Sequence, residues 1–278
     1  MIQPPPSLAT SPGRPAQRPT VGVVLFTGLI SLVVSWMATA RASSGGDLAH
    51  RLERPSFRHI LGTDQFGRDV AARVVHGALP TLTLSVCVLA LSGVAGTMLG
   101  LLAAYCRGPL RATILTTTDT LLALPAVFMA LAITAIIGPG WPALICALTA
   151  VGWTPYCRLV YQLSTVIIEL PYIEAARAAG VSSIRILLRH ILANVMDPLL
   201  ASSAVRMANA VLSISALSYL GFGPQPPSAD WGATLAAAQP YAERAPWTIA
   251  APAGAIVSVA MLATIVSRQV GHTVRSPM

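Results

Sequence analysis

The residues of this sequence that could do chemistry are charged and hydroxyl side chains inside long apolar runs. Arg206 lies well within the run Pro198–Leu220, where inserting a charge costs about 2.5 to 3.5 kcal/mol. Ser213 and Ser215 follow on the same run. Two interpretations stay open. Either these side chains line a pathway across a membrane, with Arg206 meeting an anionic group such as a carboxylate, or they form a buried pair, a hydrated cavity or hydrogen bonds between helices.

The other titratable and nucleophilic side chains do not form a catalytic or metal-binding pattern. No nucleophile has a candidate base close in sequence, and His190 has no second histidine or cysteine at ligand spacing. The four cysteines form no CxxC pair, which favours buried packing. Asp119, with Arg111 close in sequence, is interpreted as an anchor for one end of its run. The sequence therefore predicts no catalytic residue, metal or cofactor in this chain.

All 18 basic residues are arginine, and this excludes one class of ATPase. The phosphate-binding loop GxxxxGK[ST] requires a lysine that reaches the nucleotide phosphates. We therefore expect any ATP-driven work to depend on a partner that binds ATP and magnesium. The arginines are scattered between apolar runs, so lipid headgroups and topology explain the net charge of +8 better than nucleic acid does.

The elements that must position these residues are membrane-spanning helices. Of the 278 residues, 54% are hydrophobic and 10% are charged, whereas roughly 25% of the residues of a soluble domain are charged. Several runs approach or exceed the ~18 apolar residues of a spanning helix. The sequence predicts an all-α integral membrane protein with about six transmembrane helices. The expected spans are 20–40, Thr81–Tyr105, Leu121–Ile137, Trp141–Tyr156, Pro198–Leu220 and Trp247–Val266.

The two ends of the chain are expected to be tails. Residues 1–19 contain six prolines and predict a disordered cytoplasmic tail, and 271–278 predict a C-terminal tail. Ala38-Thr39-Ala40 also fits a signal-peptidase site, so that 20–40 is either a retained helix, which its length favours, or a leader. Segment 41–77 is expected to be an extracytoplasmic loop.

The 41–77 loop contains a candidate helix, Gly67–Gly77, with three valines clustered on one side. It is expected to be an amphipathic helix along the membrane surface or, equally, part of a solvated loop. With the N-terminus inside, ten arginines fall on inner segments and seven on outer ones, counting from the sequence. This excess favours cytoplasmic N- and C-termini.

Residues 169–195 predict two short helices separated by a break. Pro171 suits a first helical position, Glu174 lies where the helix dipole favours an anion, and Gly180 can take the left-handed conformation that ends a helix. Ser182 or Ser183 can cap the second helix. The expected packed face of that helix consists of Ile184, Leu187, Leu188 and Ile191. On composition alone, an ordinary loop between helices is equally acceptable.

The same segment resembles the EAA motif of ABC importer permeases. The residues that carry the resemblance are Glu174, Ala175, Ala176, Gly180, His190, Ile191, Leu192 and Asn194. In that family the motif forms a coupling helix, which docks into a cleft of the cytoplasmic ATPase subunit and transmits its closure to the membrane bundle. The family usually has proline after the Ile-Leu pair, whereas this sequence has Ala193, so a weaker kink is expected there.

Further stretches resemble the dipeptide, oligopeptide and nickel branch of these permeases. Residues 59–70 contain GTDQFGRD, which is similar to its GTDxxGRD signature, and 217–223 read LSYLGFG. The remaining matches are Pro226-Pro227, Trp231-Gly232, Asp119–Pro125 and Ala245–Trp247. Together the matches cover roughly residues 20–270 in the order of the family.

The resemblance implies a type I ABC importer permease bundle. Its transmembrane core is expected to consist of five helices over 78–270 and to include the cytoplasmic coupling loop 169–195. The resemblance also implies half of a translocation pathway for dipeptides or oligopeptides in the bacterial inner membrane, with nickel or another small solute such as haem as alternative substrates. The implied partners are a second homologous permease subunit, one or two ATPase subunits that bind ATP and magnesium, and an extracytoplasmic solute-binding protein.

Two other classes of function compete with this interpretation. A self-contained secondary transporter or channel would need intramembrane ion-binding residues or inverted repeats, for which Asp119 and Arg206 are thin support. An intramembrane enzyme would need a nucleophile with a base nearby. Co-purification with ATPase subunits would discriminate the importer subunit from both.

Overall fold

The computed structural model describes residues 46–224 and 230–274, and all its regular elements are helices apart from one isolated bridge between Thr63 and Asp69. The α-helices are α1 Val70–Tyr105, α2 Pro109–Ala123, α3 Ala126–Ile137, α4 Trp141–Gly152, α5 Thr154–Ile168, α6 Pro171–Ala178, α7 Ser183–Tyr219, α8 Trp231–Ala238 and α9 Trp247–Val274. The predicted tail 1–19 and the predicted first span 20–40 lie outside the described residues.

Four stretches of the described chain are long and apolar enough to cross a membrane, and a bent pair makes a fifth. The four are α1, α4 with α5, α7 and α9. The fifth consists of α2 and α3, whose axes differ by 96°. The break lies at Leu124 and Pro125, which both have extended backbone, because the proline ring disfavours helical conformation at the residue before it. The predicted span Leu121–Ile137 is therefore broken near its start.

The first helix of the described chain is longer than the sequence predicted. It begins at Val70 rather than Thr81, and the predicted amphipathic surface helix Gly67–Gly77 is therefore wrong as a separate element. Val70, Val75 and Ala78 are buried, so its apolar side faces protein instead of lipid headgroups. The indole Nε1 of Trp231 donates to the carbonyl of Val74 at 2.7 Å.

Helices α1 and α5 pack in close contact. Gly96 and Gly100 lie four residues apart on α1, where a Cβ atom would come within 2.4 Å of the Trp153 carbonyl oxygen and 2.7 Å of that of Cys157. Small residues at this spacing let membrane helices approach backbone to backbone. The approach brings Tyr156 into the core, where its side chain is buried.

Helix α9 extends further than predicted at its C-terminal end, to Val274 rather than Val266. It therefore runs four residues into the predicted tail 271–278, and 275–278 lie outside the described residues. Helix α9 packs on α7 through a cluster that includes Met207, Val211, Ile256 and Val259. Through Trp231, the short helix α8 packs on α7 and also contacts the beginning of α1.

Candidate functional site

Helix α6 begins and ends where its sequence requires. Pro171 is the first helical residue and Glu174 lies in the first turn. At the other end Gly180 has a φ of +77°, its N–H donates to the Arg177 carbonyl at 3.0 Å, and the N–H of Val181 donates to the Ala176 carbonyl at 3.1 Å. These two bonds form a Schellman motif, for which glycine is the preferred residue. The predicted start, turn and end of α6 are therefore present.

Helix α6 has one buried and one exposed face. Ile173 is completely buried and packs in a cluster with Val160, Ile186 and Ile191, against which Ala176 also packs. Glu174 and Ala175 are exposed. The segment 169–195, called the coupling segment below, is therefore attached to the bundle through Ile173, while Glu174, Ala175 and Arg177 of α6 are exposed.

The second half of the coupling segment differs from its prediction as a short helix. It is the start of α7, which continues without a break to Tyr219 and includes a π-helical turn over Ile186–Ile191. The N–H of Leu192 donates to the Leu187 carbonyl, the i to i+5 pattern of a π-turn.

This π-turn changes which side chains pack. Two of the four residues of the predicted packed face are wrong, because Ile184 is 70% exposed and Leu188 is 56% exposed. The buried residues follow a spacing of five, four and four instead: Ile186, Ile191, Val195 and Leu199. One extra residue in the turn brings Ile186 and Ile191 onto the same side, which the regular 3.6-residue period does not do.

His190 and Asn194 bring the two halves of the coupling segment into contact. The rings of His190 and Tyr172 lie 6.2 Å apart, and the Asn194 amide donates to the Tyr172 hydroxyl at 3.4 Å. Leu192 is half-buried next to the Ile191 cluster. Among the described residues, no group of three or more histidine, cysteine, aspartate or glutamate side chains could hold a metal ion.

Arg206 lines a cavity of about 340 Å³ between α1, α2, α3, α4, α5 and α7. Its guanidinium lies 4.6 Å from the ring centre of Tyr156 and donates to the Pro155 carbonyl at 3.3 Å. Ser213 lines the same cavity, and so does Asn209. Asn209 was not predicted, although its position three residues after Arg206 places both on one helical face.

Ser215 does not belong to this group of residues. It is buried and is absent from the lining of the cavity. Instead it lies under α8, where a Cβ atom on Gly232 would come within 2.2 Å of its carbonyl oxygen. The structure therefore brings Arg206 and Ser213 together and places Ser215 elsewhere, because two positions along a helix turn the side chain by about 200°.

Asp119 is paired with a different arginine from the one near it in sequence. Its carboxylate lies 3.3 Å from Arg158 on α5, while Arg111 stacks on Tyr161 with its guanidinium 5.2 Å from the ring centre. Asp119 therefore joins α2 to α5. Both members of the ion pair are partly exposed, so their mutual attraction is a small contribution to stability.

The GTDQFGRD stretch forms a capped turn at the start of α1. Asp64 accepts hydrogen bonds from the backbone N–H groups of Phe66 and Arg68 at 2.8 and 2.9 Å. Asp69 caps α1 by accepting from the N–H of Ala72 at 3.1 Å. Its other oxygen lies 2.9 Å from Nδ1 of His59. The two carboxylates of this motif thus organise the turn.

The same turn holds α8 and α9 against α1. Arg73 lies 3.6 Å from the Asp64 carboxylate and 3.5 Å from the Thr234 hydroxyl on α8. The Trp247 indole donates to the Thr63 carbonyl at 3.2 Å. Gly62 has a φ of +71°, and a Cβ atom there would lie 2.6 Å from that indole nitrogen. Sequence reasoning found the motif but not this structural role.

Asp230, the residue that caps α8, is a buried carboxylate. Its Oδ1 accepts from the N–H of Ala233 at 2.9 Å, and its Oδ2 has no hydrogen-bond partner within the described residues. Burial raises the pKa of the Asp230 carboxyl above its ordinary value, against the opposing effect of the Ala233 and Gly232 N–H groups and the Ser218 hydroxyl. Folding therefore favours the protonated form of Asp230 relative to the unfolded chain.

We expect Asp230→Asn to remove a pH-dependent loss of stability. Because the folded pKa lies above the unfolded one, the wild type is most stable below the unfolded pKa and loses stability as pH rises through the folded pKa. Asparagine keeps a side-chain oxygen that can cap α8 and does not ionise. The variant minus wild-type difference in Tm, measured by thermal unfolding, should rise between pH 4 and pH 8. A difference that is constant across this range would contradict the assignment.

Comparison with known proteins decides the family. The family described as binding-protein-dependent transport system inner membrane component matches residues 96–276. This chain belongs to that family. The predicted ABC importer permease family is therefore confirmed.

Two curated relatives extend the likeness beyond the matched region of this permease. It is 36% identical over 212 residues to the di/tripeptide transport system permease protein DppC of Pseudomonas aeruginosa. The aligned region covers 76% of this chain and 70% of the relative. It is 34% identical over 244 residues to the dipeptide transport system permease protein DppC of Alkalihalophilus pseudofirmus, covering 87% and 80%.

Solved structures show the same fold as this permease. An inward-facing structure of the MetNI methionine ABC transporter contains a chain that matches with a TM-score of 0.58 and 18% identity, covering 72% of this permease and 95% of that chain. The prediction of an all-α membrane protein with a type I importer permease fold is confirmed. The permease is a multi-pass membrane protein and a transport component.

Proposed function

We propose that this permease is the membrane-spanning subunit of an ATP-driven importer of short peptides. It forms half of the translocation pathway, and its coupling segment docks on a cytoplasmic ATPase subunit. The curated relatives named as dipeptide and di/tripeptide permeases support a peptide substrate. Nickel or haem has no comparable support among these relatives.

The observation that carries this proposal is the continuity of α7. This helix begins in the coupling segment at Ser183, contributes Ile186 and Ile191 to the cluster that holds Ile173, and continues to Arg206 in the cavity. A displacement of α6 is therefore transmitted to the wall of the cavity through one unbroken helix. A shift in population between two arrangements of this helix couples the ATPase to the opening of the pathway on one side of the membrane or the other.

The proposal includes partners and an orientation. One or two ATPase subunits bind ATP and magnesium, because this chain has no lysine for a phosphate-binding loop. A second homologous permease subunit completes the pathway as a heterodimer, and an extracytoplasmic solute-binding protein delivers the peptide. The chain lies in the bacterial inner membrane with both termini in the cytoplasm, so that 169–195 faces the ATPase.

The decisive experiment uses the wild-type permease. It is co-expressed with the candidate ATPases and second permease subunit, purified, and reconstituted in liposomes with the solute-binding protein. We expect the ATPases to co-purify and dipeptide uptake to require ATP and the binding protein. If no ATPase associates and the purified chain alone moves solute, the proposed function is wrong and a secondary transporter or channel replaces it.

A further inference from the structure

Arg206 is a half-buried cation without a partner of opposite charge among the described residues. It is the only charged residue among those that line its cavity, and none of the ion pairs in the described chain includes it. Its Nε is buried without a hydrogen-bond partner among the described residues. An unpaired charge at membrane depth is costly, so an anion from outside this chain would stabilise it.

The contacts of Arg206 hold its guanidinium in one place without neutralising it. One face lies against the ring of Tyr156, 4.6 Å from its centre, and Nη2 donates to the Pro155 carbonyl at 3.3 Å. The Tyr156 hydroxyl is itself 3.3 Å from Ser203. A planar guanidinium positioned in this way matches the geometry of a carboxylate, to which it can donate two parallel hydrogen bonds.

The surroundings of Arg206 suit a small polar solute. The volume of about 340 Å³ lies within the range of small-molecule sites, roughly 300–1,000 Å³. Asn209 and Ser213 lie three and seven residues after Arg206 and line the same cavity. They present an amide and a hydroxyl along one helical face, whereas most of the remaining lining is apolar.

We propose that Arg206 binds the carboxylate of the transported solute, which for a short peptide is its C-terminal carboxylate. This inference rests on the proposed function, since it assigns a contact within that pathway. Asn209 and Ser213 hydrogen-bond to the neighbouring polar groups of the solute. Arg206 therefore selects for solutes with a free carboxylate, independently of the selection made by a binding protein.

The test measures binding to the assembled importer without its solute-binding protein. The complex in nanodiscs is titrated with radiolabelled dialanine and with dialanine amide, which lacks the carboxylate. We expect the wild type to bind dialanine at least tenfold more tightly than dialanine amide. Arg206→Gln should bind the two peptides equally, and Arg206→Lys should keep part of the preference for dialanine. Arg158→Gln removes an arginine outside the cavity and should keep the full preference.

Other sources of the anion give distinct results. If Arg206→Gln loses the second permease subunit during purification, the anion is a side chain of that subunit. If it loses tightly bound anionic lipid in native mass spectrometry, the anion is a headgroup. Either result, or equal binding of the two peptides by the wild type, overturns the assignment. A second measurement separates this inference from the proposed function. The solute-binding protein is added to the same samples, and the stimulation of ATP hydrolysis is measured. If the wild type shows this stimulation, the proposed function stands even when the carboxylate assignment fails.

Discussion

We expect Gly96→Val to prevent stable assembly of the bundle. A Cβ atom at this position would lie 2.4 Å from the Trp153 carbonyl oxygen, 2.5 Å from Cβ of Tyr156 and 2.9 Å from the N of Cys157. Two of these three atoms are backbone, so no side-chain rotation relieves the overlap, and α1 and α5 must separate. We expect a loss of about 3 kcal/mol, at the upper end of overpacking costs. Thermal unfolding and the monodisperse yield after purification measure it.

Gly93→Val provides the matched control for this prediction. It lies one turn earlier on the same helix and makes the same change in side chain and helix propensity. The nearest atom to its Cβ belongs to the Tyr156 ring at 3.9 Å, an ordinary van der Waals distance. We expect it to retain a Tm close to that of the wild type. Similar losses in both variants would show that valine propensity, not the contact between α1 and α5, determines the effect.

The spans could be predicted from hydropathy because lipid requires long apolar helices whatever their partners are. Where each helix begins depends on contacts that hydropathy does not record. Val70 starts α1 because Asp69 caps it and because Trp231, more than 150 residues later, binds the Val74 carbonyl. The broken span was foreseeable in part, since Pro125 follows a residue that proline restricts, but its 96° angle was not.

In the candidate site too, features that local residues determine could be predicted, and features that tertiary packing determines could not. Local residues determine the ends of α6, so that Pro171 and Gly180 were sufficient to predict them. The packed face beyond them could not be predicted, because the π-turn shifts the helical phase and no single residue specifies it. In the cavity, Arg206 was evident as a charge in an apolar run. Its partner Tyr156 lies on a different span, and only tertiary packing brings the two together.

Glu174→Arg is expected to abolish association with the ATPase while leaving the permease folded. Glu174 lies on the exposed face of α6, where an arginine in the first turn opposes the helix dipole by only about 0.3–1 kcal/mol. That cost is too small to detach a helix whose Ile173 is fully buried. We expect at least a tenfold loss of co-purified ATPase and of uptake, with the Tm of the isolated permease lowered by no more than about 4 °C.

The control reverses the same charge at the opposite end of the bundle. Glu243 is exposed in the segment before α9, so Glu243→Arg should retain the ATPases.

Ile173→Ala separates docking from transmission, because it leaves the exposed face of α6 unchanged but removes the side chain that joins α6 to α7. The loss of packing should amount to about 2–5 kcal/mol. The ATPases should then still bind and hydrolyse ATP, while hydrolysis no longer drives uptake. Normal uptake by Ile173→Ala would show that the buried face of α6 does not transmit the motion, and retained association in Glu174→Arg would place the docking surface elsewhere.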